Sequence, residues 1–229
     1  MTDIMRSLLL AASLLLFTTG SVAFSADPPA QPSTDGWRSL FNGKDLSNWT
    51  PVGRAVWRVE DGVIVGTQDG DASRSGVLDT KEQFQDFEIS LDFLLDEHGK
   101  YNSGIYLRNQ PGTQAQTGYQ INIGRGVIGE YCGGLYRDGW RATGDQKDEI
   151  RKPREWNSMR ILARGPHVEV ELNGKMIVNY TDPSPSPAFV GKGVISLQTY
   201  GAEGHSGFVK FRNVKIRELP GAPQPAQGK

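Results

Sequence analysis

The chain of 229 residues has one cysteine, Cys132, and only three histidines. A single cysteine excludes an intramolecular disulfide, so the fold has to be stabilised by its core. The histidines do not form the short His-x-His or HExxH spacings that are typical of catalytic zinc sites. No cofactor is evident from these patterns, although a divalent metal held by oxygen ligands from separate strands stays an open alternative.

The chain also lacks an excess of charge of either sign. It carries 25 Lys and Arg against 26 Asp and Glu, which gives a formal net charge of −1. Nucleic-acid binding requires clustered cations, so the sequence predicts no nucleic-acid partner. This charge balance is compatible with a neutral small-molecule partner such as a sugar or a glycoside.

Common catalytic signatures are missing as well. There is no GxSxG nucleophile elbow. The residues from Gly124 to Gly129 match GxGxxG, but those that follow cannot open the helix that a bound pyrophosphate requires. Glu169 and Glu171 have the spacing of some sandwich glycosidases, yet their alternation with apolar residues is typical of a solvent-facing strand. None of these patterns predicts a reaction by itself.

The one long apolar run, Leu8 to Phe17, follows Arg6. It is too short to span a bilayer, which takes about 20 residues. Small residues come next, so the segment is predicted to be a signal peptide cleaved after Ala23 or Ser25. We therefore expect export to the periplasm or the extracellular space, with no stable membrane insertion after the leader is removed. The predicted division of the chain is a signal peptide 1–23, a linker 24–36, one jelly-roll domain 37–219 and a flexible tail 220–229.

Strand signals fill the predicted domain. Phe87, Ile89, Leu91 and Phe93 alternate with polar residues, which indicates a strand with one wet face. Asn173-Gly174 lies between two further strand-like runs and predicts a tight hairpin, because both residues tolerate positive φ. No window shows a sustained helical period, and the 28 Gly and 13 Pro suit many turns. The sequence therefore predicts an all-β fold, a two-sheet antiparallel jelly-roll sandwich.

A polar row stands out between Asn102 and Asn122. Arg108, Gln120 and Asn122 occupy alternating positions of two strand-like runs, so they are predicted to share one sheet face. Rings with polar tips lie in or beside the same segments. A sugar offers apolar C–H faces and a rim of hydroxyls, which such rings and amides can bind. The alternative, a structural sandwich whose rings are packed inward, stays open. These rings are Tyr106, Tyr119, Tyr131, Tyr136, Trp140 and Tyr200.

Several short motifs also follow one another in order along the domain. They are Leu40 to Trp49, Asn102 to Ile105 with Arg108, Gly118 to Ile121, Gly134 to Tyr136, Glu155 to Asn157, Leu172 to Gly174, Gly193 to Gln198, and Phe211 to Ile216. Together they resemble the 3-keto-disaccharide hydrolase domain family, also described as 3-keto-glucoside 1,2-lyase and 3-keto-2-hydroxy-glucal hydratase. The resemblance covers essentially the whole domain. It implies a concanavalin A-like jelly roll of the lectin/glucanase type and substrates that are glucosides oxidised to a ketone at C3.

The chemistry that this resemblance implies is an elimination followed by a hydration. The C3 ketone acidifies the C2 proton, a base removes it, and the C1 substituent leaves from the enolate. Such a site needs a general base near C2 and a cation or donor at the enolate oxygen. The family often has Glu-x-Gln where this chain has Gln120 and Asn122, and a glutamine amide cannot serve as the base.

The predicted catalytic residues are Arg108 as a clamp on the enolate or the substrate, and Glu130 and His205 as candidates for the base. Tyr136 and Asp138 are further candidates for that base. Metal ligands are left unknown. Because the expected carboxylate is missing, a non-catalytic sugar-binding module of the same fold is the alternative to an enzyme. The predicted substrate-binding residues are Asn102, Tyr106, Tyr119, Gln120, Asn122, Tyr136, Gln198 and Tyr200.

Overall fold

The computed structural model describes residues 35–69, 71–96, 102–124, 129–200 and 206–220. The predicted signal peptide, most of the linker and nearly all of the tail lie outside these ranges, so that division of the chain stays a prediction. No helix within the described ranges has the length and apolar character needed to cross a membrane. Helical structure there consists of a 3₁₀ turn, Ala72–Arg74, and the short helix α1, Pro187–Val190.

The strands of the described residues are numbered in chain order. They are β1 (Arg38–Ser39), β2 (Trp49–Gly53), β3 (Val56–Glu60), β4 (Val63–Asp69), β5 (Gly76–Thr80), β6 (Phe87–Leu95), β7 (Asn102–Asn109), β8 (Tyr119–Ile123), β9 (Leu135–Tyr136), β10 (Trp140–Ala142), β11 (Asn157–Arg164), β12 (His167–Leu172), β13 (Lys175–Thr181), β14 (Val194–Tyr200) and β15 (Ser206–Glu218).

These strands form two antiparallel sheets. One has eight strands in the order β13-β12-β11-β6-β15-β4-β3, with β1 paired to β15. The other has seven strands within the described residues, in the order β10-β9-β8-β7-β14-β5-β2. The predicted two-sheet antiparallel jelly roll of the concanavalin A-like type is therefore confirmed.

The core lies between the two sheets. Phe87, Ile89, Leu91 and Phe93 of β6 are all buried, as their alternation predicted. Burial of such side chains is the main force that holds the sheets together, at roughly 25 cal/mol for each Å² of apolar surface. Tyr119, Ile121 and Ile123 of β8 belong to the same core, so Gln120 and Asn122, which alternate with them, point away from it.

The predicted hairpin joins β12 to β13. Asn173 and Gly174 have φ values of 50° and 79°, as a two-residue turn with positive φ at both positions requires. The Asn173 side chain donates hydrogen bonds to the carbonyl of Ile150 and to Oδ1 of Asn157, both at 2.8 Å. The turn is therefore fixed to the start of β11 as well as by its own backbone.

Candidate functional site

A cleft of about 430 Å³ opens on the seven-stranded sheet, on the face turned away from the core. The register between neighbouring strands places the residues of the cleft floor side by side. Gly104 of β7 lies between Asn122 of β8 and Gln198 of β14, and Gln120 lies between Tyr106 and Tyr136. The residues that line the cleft are Asn102, Gln120, Asn122, Gly129, Tyr136, Trp140, Gln198 and Tyr200.

The side-chain amides on the cleft floor form hydrogen bonds with one another. Gln120 Nε2 donates to Asn122 Oδ1 at 3.2 Å and to Gln198 Oε1 at 3.3 Å. Gln198 Nε2 in turn donates to the Tyr106 hydroxyl at 2.8 Å. Asn122 Nδ2 donates to the carbonyl of Tyr131 at 3.1 Å. These contacts fix which amide atoms face the cleft, so a ligand meets an ordered pattern of donors and acceptors.

The amide network depends on the absence of a side chain at Gly104. A Cβ there would lie 2.6 Å from Gln120 Nε2 and 3.0 Å from Gln198 Oε1. We expect Gly104→Ala to push the two amides apart and to weaken the binding of a ligand in the cleft by about fivefold to tenfold, the loss of about one hydrogen bond. Titration calorimetry checks the affinity. The thermal unfolding midpoint should stay close to that of the wild type, and an unchanged affinity would contradict this account of the floor.

One wall of the cleft is aromatic. Trp140 makes edge contacts with Tyr131 and Tyr136, with ring centroids 5.1 and 5.2 Å apart and interplanar angles of 63° and 73°. Edge-to-face pairs of this kind stabilise one another and hold each ring in place. Tyr136 and Trp140 are therefore fixed at the cleft and present rigid apolar surface to a ligand.

The lining of the cleft carries no side chain that is charged at neutral pH, among the residues that the structure describes. Burial raises the pKa of the adjacent Tyr106 hydroxyl, so this group stays protonated. Burial also raises the pKa of the Cys132 thiol to about 12, which excludes it as a ready nucleophile. The described cleft is thus suited to a neutral, hydroxylated ligand.

Arg108 does not reach the cleft, which corrects the prediction that it shares a face with Gln120 and Asn122. Its side chain is 0% exposed and pairs with Asp86 at 3.3 Å. The guanidinium also donates to the backbone carbonyls of Gln85, Gly165 and Phe189. Arg108 therefore links the seven-stranded sheet to the β11–β12 turn of the other sheet.

The physical reason is a β-bulge in β7. Its register against β14 shifts between the pairs Asn109–Val194 and Tyr106–Ser196, which leaves one extra residue in β7. Arg108 adopts a φ of 56°, in the left-handed region. An extra residue reverses the alternation of side chains beyond it, so strict period-two reasoning fails at this point.

Tyr119 also lies elsewhere, which corrects its predicted place among the substrate-binding residues. It is fully buried, on the face of β8 opposite to Gln120. Its ring packs against Phe189 with centroids 4.9 Å apart, and its hydroxyl donates to Asp182. Tyr119 fixes the loop that carries α1 to the sheet, and no part of it lines the cleft.

The two acidic candidates for the base, Glu130 and Asp138, are not part of the described cleft lining. Glu130 is half-buried and follows Gly129, which lines the cleft, but Glu130 itself is not part of the lining. Asp138 lies in the turn between β9 and β10 with its side chain 72% exposed, beside Arg137. His205 lies outside the described residues, so its role stays a prediction.

A metal has few suitable ligands near the cleft. No group of three or more His, Cys, Asp or Glu side chains converges within the described ranges. The cleft lining there offers neutral amide and hydroxyl oxygens without a carboxylate, whereas sites for hard divalent cations normally include one. The described donor set thus does not fit a divalent cation.

The structure brings six of the eight predicted substrate-binding residues to the cleft lining and places Tyr106 under it. Trp140 is part of the lining but was absent from the predicted binding set, although its aromatic neighbours indicated it. Gly104 was a motif residue with no predicted role. Its importance depends on the register of β7 against its neighbours, for which the sequence holds no local signal.

The fold and the site define a lectin-like jelly roll with a neutral, ring-lined cleft on one sheet. The chain belongs to the family of 3-keto-alpha-glucoside-1,2-lyase-like domains, which matches residues 36–217. The resemblance drawn from the sequence motifs is therefore confirmed, and the protein is a carbohydrate-related domain.

Solved structures agree with this assignment. A protein of Parabacteroides distasonis provisionally described as a glycosyl hydrolase is 31% identical, with a TM-score of 0.61 over 80% of this chain and 99% of that chain. A second such protein from the same organism is 28% identical, with a TM-score of 0.56 over 87% and 95%. The carbohydrate binding module CBM66 from Bacillus subtilis is 15% identical with a TM-score of 0.58 over 78% and 99%, a likeness of fold alone. No curated protein matches the chain.

Proposed function

We propose that this protein is exported, binds a 3-keto-glucoside in the cleft and cleaves its glycosidic bond by elimination and hydration. The observation that carries the proposal is the neutral, amide-floored cleft in a chain of the 3-keto-alpha-glucoside-1,2-lyase-like family. The proposal of export rests on the sequence pattern alone, namely Arg6, the apolar run from Leu8 to Phe17 and the small residues that follow it.

The cleft matches the two surfaces of a sugar. Trp140 and Tyr136 offer ring surface to the apolar C–H face of a pyranose. Gln120, Asn122 and Gln198 offer amide groups to its hydroxyls, and their mutual hydrogen bonds keep these groups in place. A few fixed polar groups among rings are typical of sites for small neutral ligands.

The reaction balances without an added oxidant or reductant. A base takes the C2 proton, the electrons form an enolate at the C3 oxygen, and the C1–O bond breaks. The leaving oxygen gains a proton and departs as an alcohol. Water then adds to the resulting enone, with its oxygen at C1 and a proton at C2, to give the 3-keto sugar.

The enolate oxygen requires a donor that is already in place. Arg108 cannot supply it, because its guanidinium is fully buried by contacts within the protein. The Asn102 amide lines the cleft and makes no side-chain hydrogen bond among the described residues, so we assign this role to Asn102. The base remains proposed as Glu130, which follows Gly129 of the lining, with His205 as the alternative.

Incubation of the purified protein with a 3-keto-disaccharide tests this proposal. We expect release of free sugar together with a transient ultraviolet absorbance of the enone. The same disaccharide without the ketone should stay intact, because its C2 proton is far too weakly acidic for a side chain to remove. The assay is run with and without added divalent cations, and absence of turnover in both conditions would contradict the enzymatic proposal.

A non-catalytic sugar-binding module is the second candidate. It is favoured by one observation, the absence of a carboxylate from the described cleft lining. Calorimetry against a panel of unoxidised glycans separates the two candidates. Binding of unoxidised sugars without turnover of keto-sugars supports the module, whereas preference for the keto-sugar with turnover supports the enzyme.

A further inference from the structure

A second hollow of about 310 Å³ adjoins the cleft on the same sheet face. Gln198 and Tyr200 line both hollows and form the boundary between them. On the far side, the second hollow is bounded by Ser75, which precedes β5, and by Gln114 and Ala115 of the β7–β8 loop. The two hollows therefore form one continuous groove across β8, β7, β14 and β5.

The loop on the far side is held in place by the sheet. The Gly112 amide donates to Asp79 Oδ2 at 3.0 Å, and the buried Asp79 also accepts a hydrogen bond from Ser196 Oγ at 2.6 Å. Asn109 Nδ2 donates to the Ala115 carbonyl at 3.2 Å. The wall that carries Gln114 and Ala115 is therefore anchored to β5 and β7.

Gln114 occupies space that a glycine leaves free. Gly53 has a φ of 90°, and a Cβ at this position would lie 2.3 Å from Gln114 Oε1. The small residue in β2 thus allows the Gln114 side chain to lie over the sheet edge. Its amide, at the rim of the second hollow, can both donate to and accept from a ligand.

The described lining of the second hollow also lacks charged side chains. Its polar groups are amides and hydroxyls, and Tyr106 and Tyr200 add ring surface. A charged group placed there would lose hydration without gaining a counter-charge. A neutral, hydroxyl-rich group such as a second sugar ring fits this chemistry.

We propose that the second hollow is the subsite for the leaving group, and that it selects a neutral, ring-sized leaving group such as a sugar. The oxidised ring lies in the cleft, the leaving sugar lies against Gln114 and Ala115, and the bond that breaks lies near Gln198 and Tyr200. This inference rests on the proposed function, because it names the group that departs in that reaction.

The experiment fills the second hollow and leaves the first unchanged. Ala115 is exposed, so Ala115→Phe adds a ring at the wall without disturbing the core. For a 3-keto-disaccharide we expect the KM of Ala115→Phe to rise at least about tenfold, because the ring excludes the second sugar. For the one-ring methyl 3-keto-glucoside, the same variant should change KM less than about twofold.

Two further variants make the test specific. Ala188→Phe adds the same ring to an exposed alanine of α1 that lines neither hollow, and it should behave as the wild type with both substrates. Gln114→Ala should raise the KM of the disaccharide by about threefold to tenfold, the loss of one or two hydrogen bonds, with the methyl glycoside unaffected.

The outcomes separate this inference from the proposed function. Turnover of both substrates with equal effects of Ala115→Phe on both overturns the subsite and leaves the proposed function standing. Binding of the disaccharide that is weakened by Ala115→Phe, without turnover of either substrate, supports the groove and overturns the reaction. If neither glycoside binds the wild-type protein, both proposals fail.

Discussion

Replacement of Arg108 by methionine is expected to lower the free energy of unfolding by about 3–5 kcal/mol, the usual cost of removing one partner of a buried ion pair. Asp86 would remain nearly buried with its charge unpaired, since its side chain is only 6% exposed. The carbonyls of Gln85, Gly165 and Phe189 would lose their donor at the same time. Urea denaturation of the purified variant measures the change.

A surface arginine provides the matched control. Arg164 is exposed at the end of β11, so Arg164→Met should change the free energy of unfolding by less than about 0.5 kcal/mol. If Arg108→Met does not yield folded protein, Arg108→Lys keeps the charge but loses the fork of donors, and should be intermediate. If Arg108→Met is as stable as the wild type but no longer binds sugar, this account is wrong and Arg108 belongs to the ligand site.

The second large effect concerns the proposed base. Glu130→Gln should lower kcat for a 3-keto-disaccharide by about 10²–10⁴-fold, the usual contribution of a positioned base, with KM nearly unchanged. The substitution keeps the size of the side chain and removes its negative charge and its ability to accept a proton. Steady-state rates followed by enone absorbance and by released sugar give both constants.

Two variants accompany this test. Glu155→Gln changes an exposed carboxylate away from the cleft and should leave kcat and KM as in the wild type. His205→Asn should cost less than about tenfold if Glu130 is the base. The opposite pattern, a large loss in His205→Asn and a small one in Glu130→Gln, would assign the base to His205 and contradict the first choice.

The fold followed from the sequence because its signals are local. Alternation in β6 and the Asn173-Gly174 turn depend on neighbours in the chain, and the structure confirms both. Gln120 and Asn122 reach the cleft for the same reason, since they lie two residues apart on one regular strand.

Two site residues are predicted wrongly, and for Arg108 the cause is a strand pairing between residues that are distant in the chain. The bulge that turns Arg108 inward depends on how β7 pairs with β14. The residues next to Arg108 in the sequence do not predict that pairing. Tyr119 is a different case. It alternates with Gln120, so the strand period alone predicts the core face, and the polar tip of the ring does not override that period.

The hydrogen bonds among the amides of the cleft floor affect the loss of side-chain entropy when a ligand binds. A free glutamine side chain loses about 1.5–2 kcal/mol of rotational freedom when a ligand immobilises it. Gln120 and Gln198 are already held by Asn122, Tyr106 and each other when the protein folds. A ligand that enters the cleft therefore meets a preorganised surface. The entropy cost of ordering these two side chains is met during folding and does not reduce the affinity for the ligand.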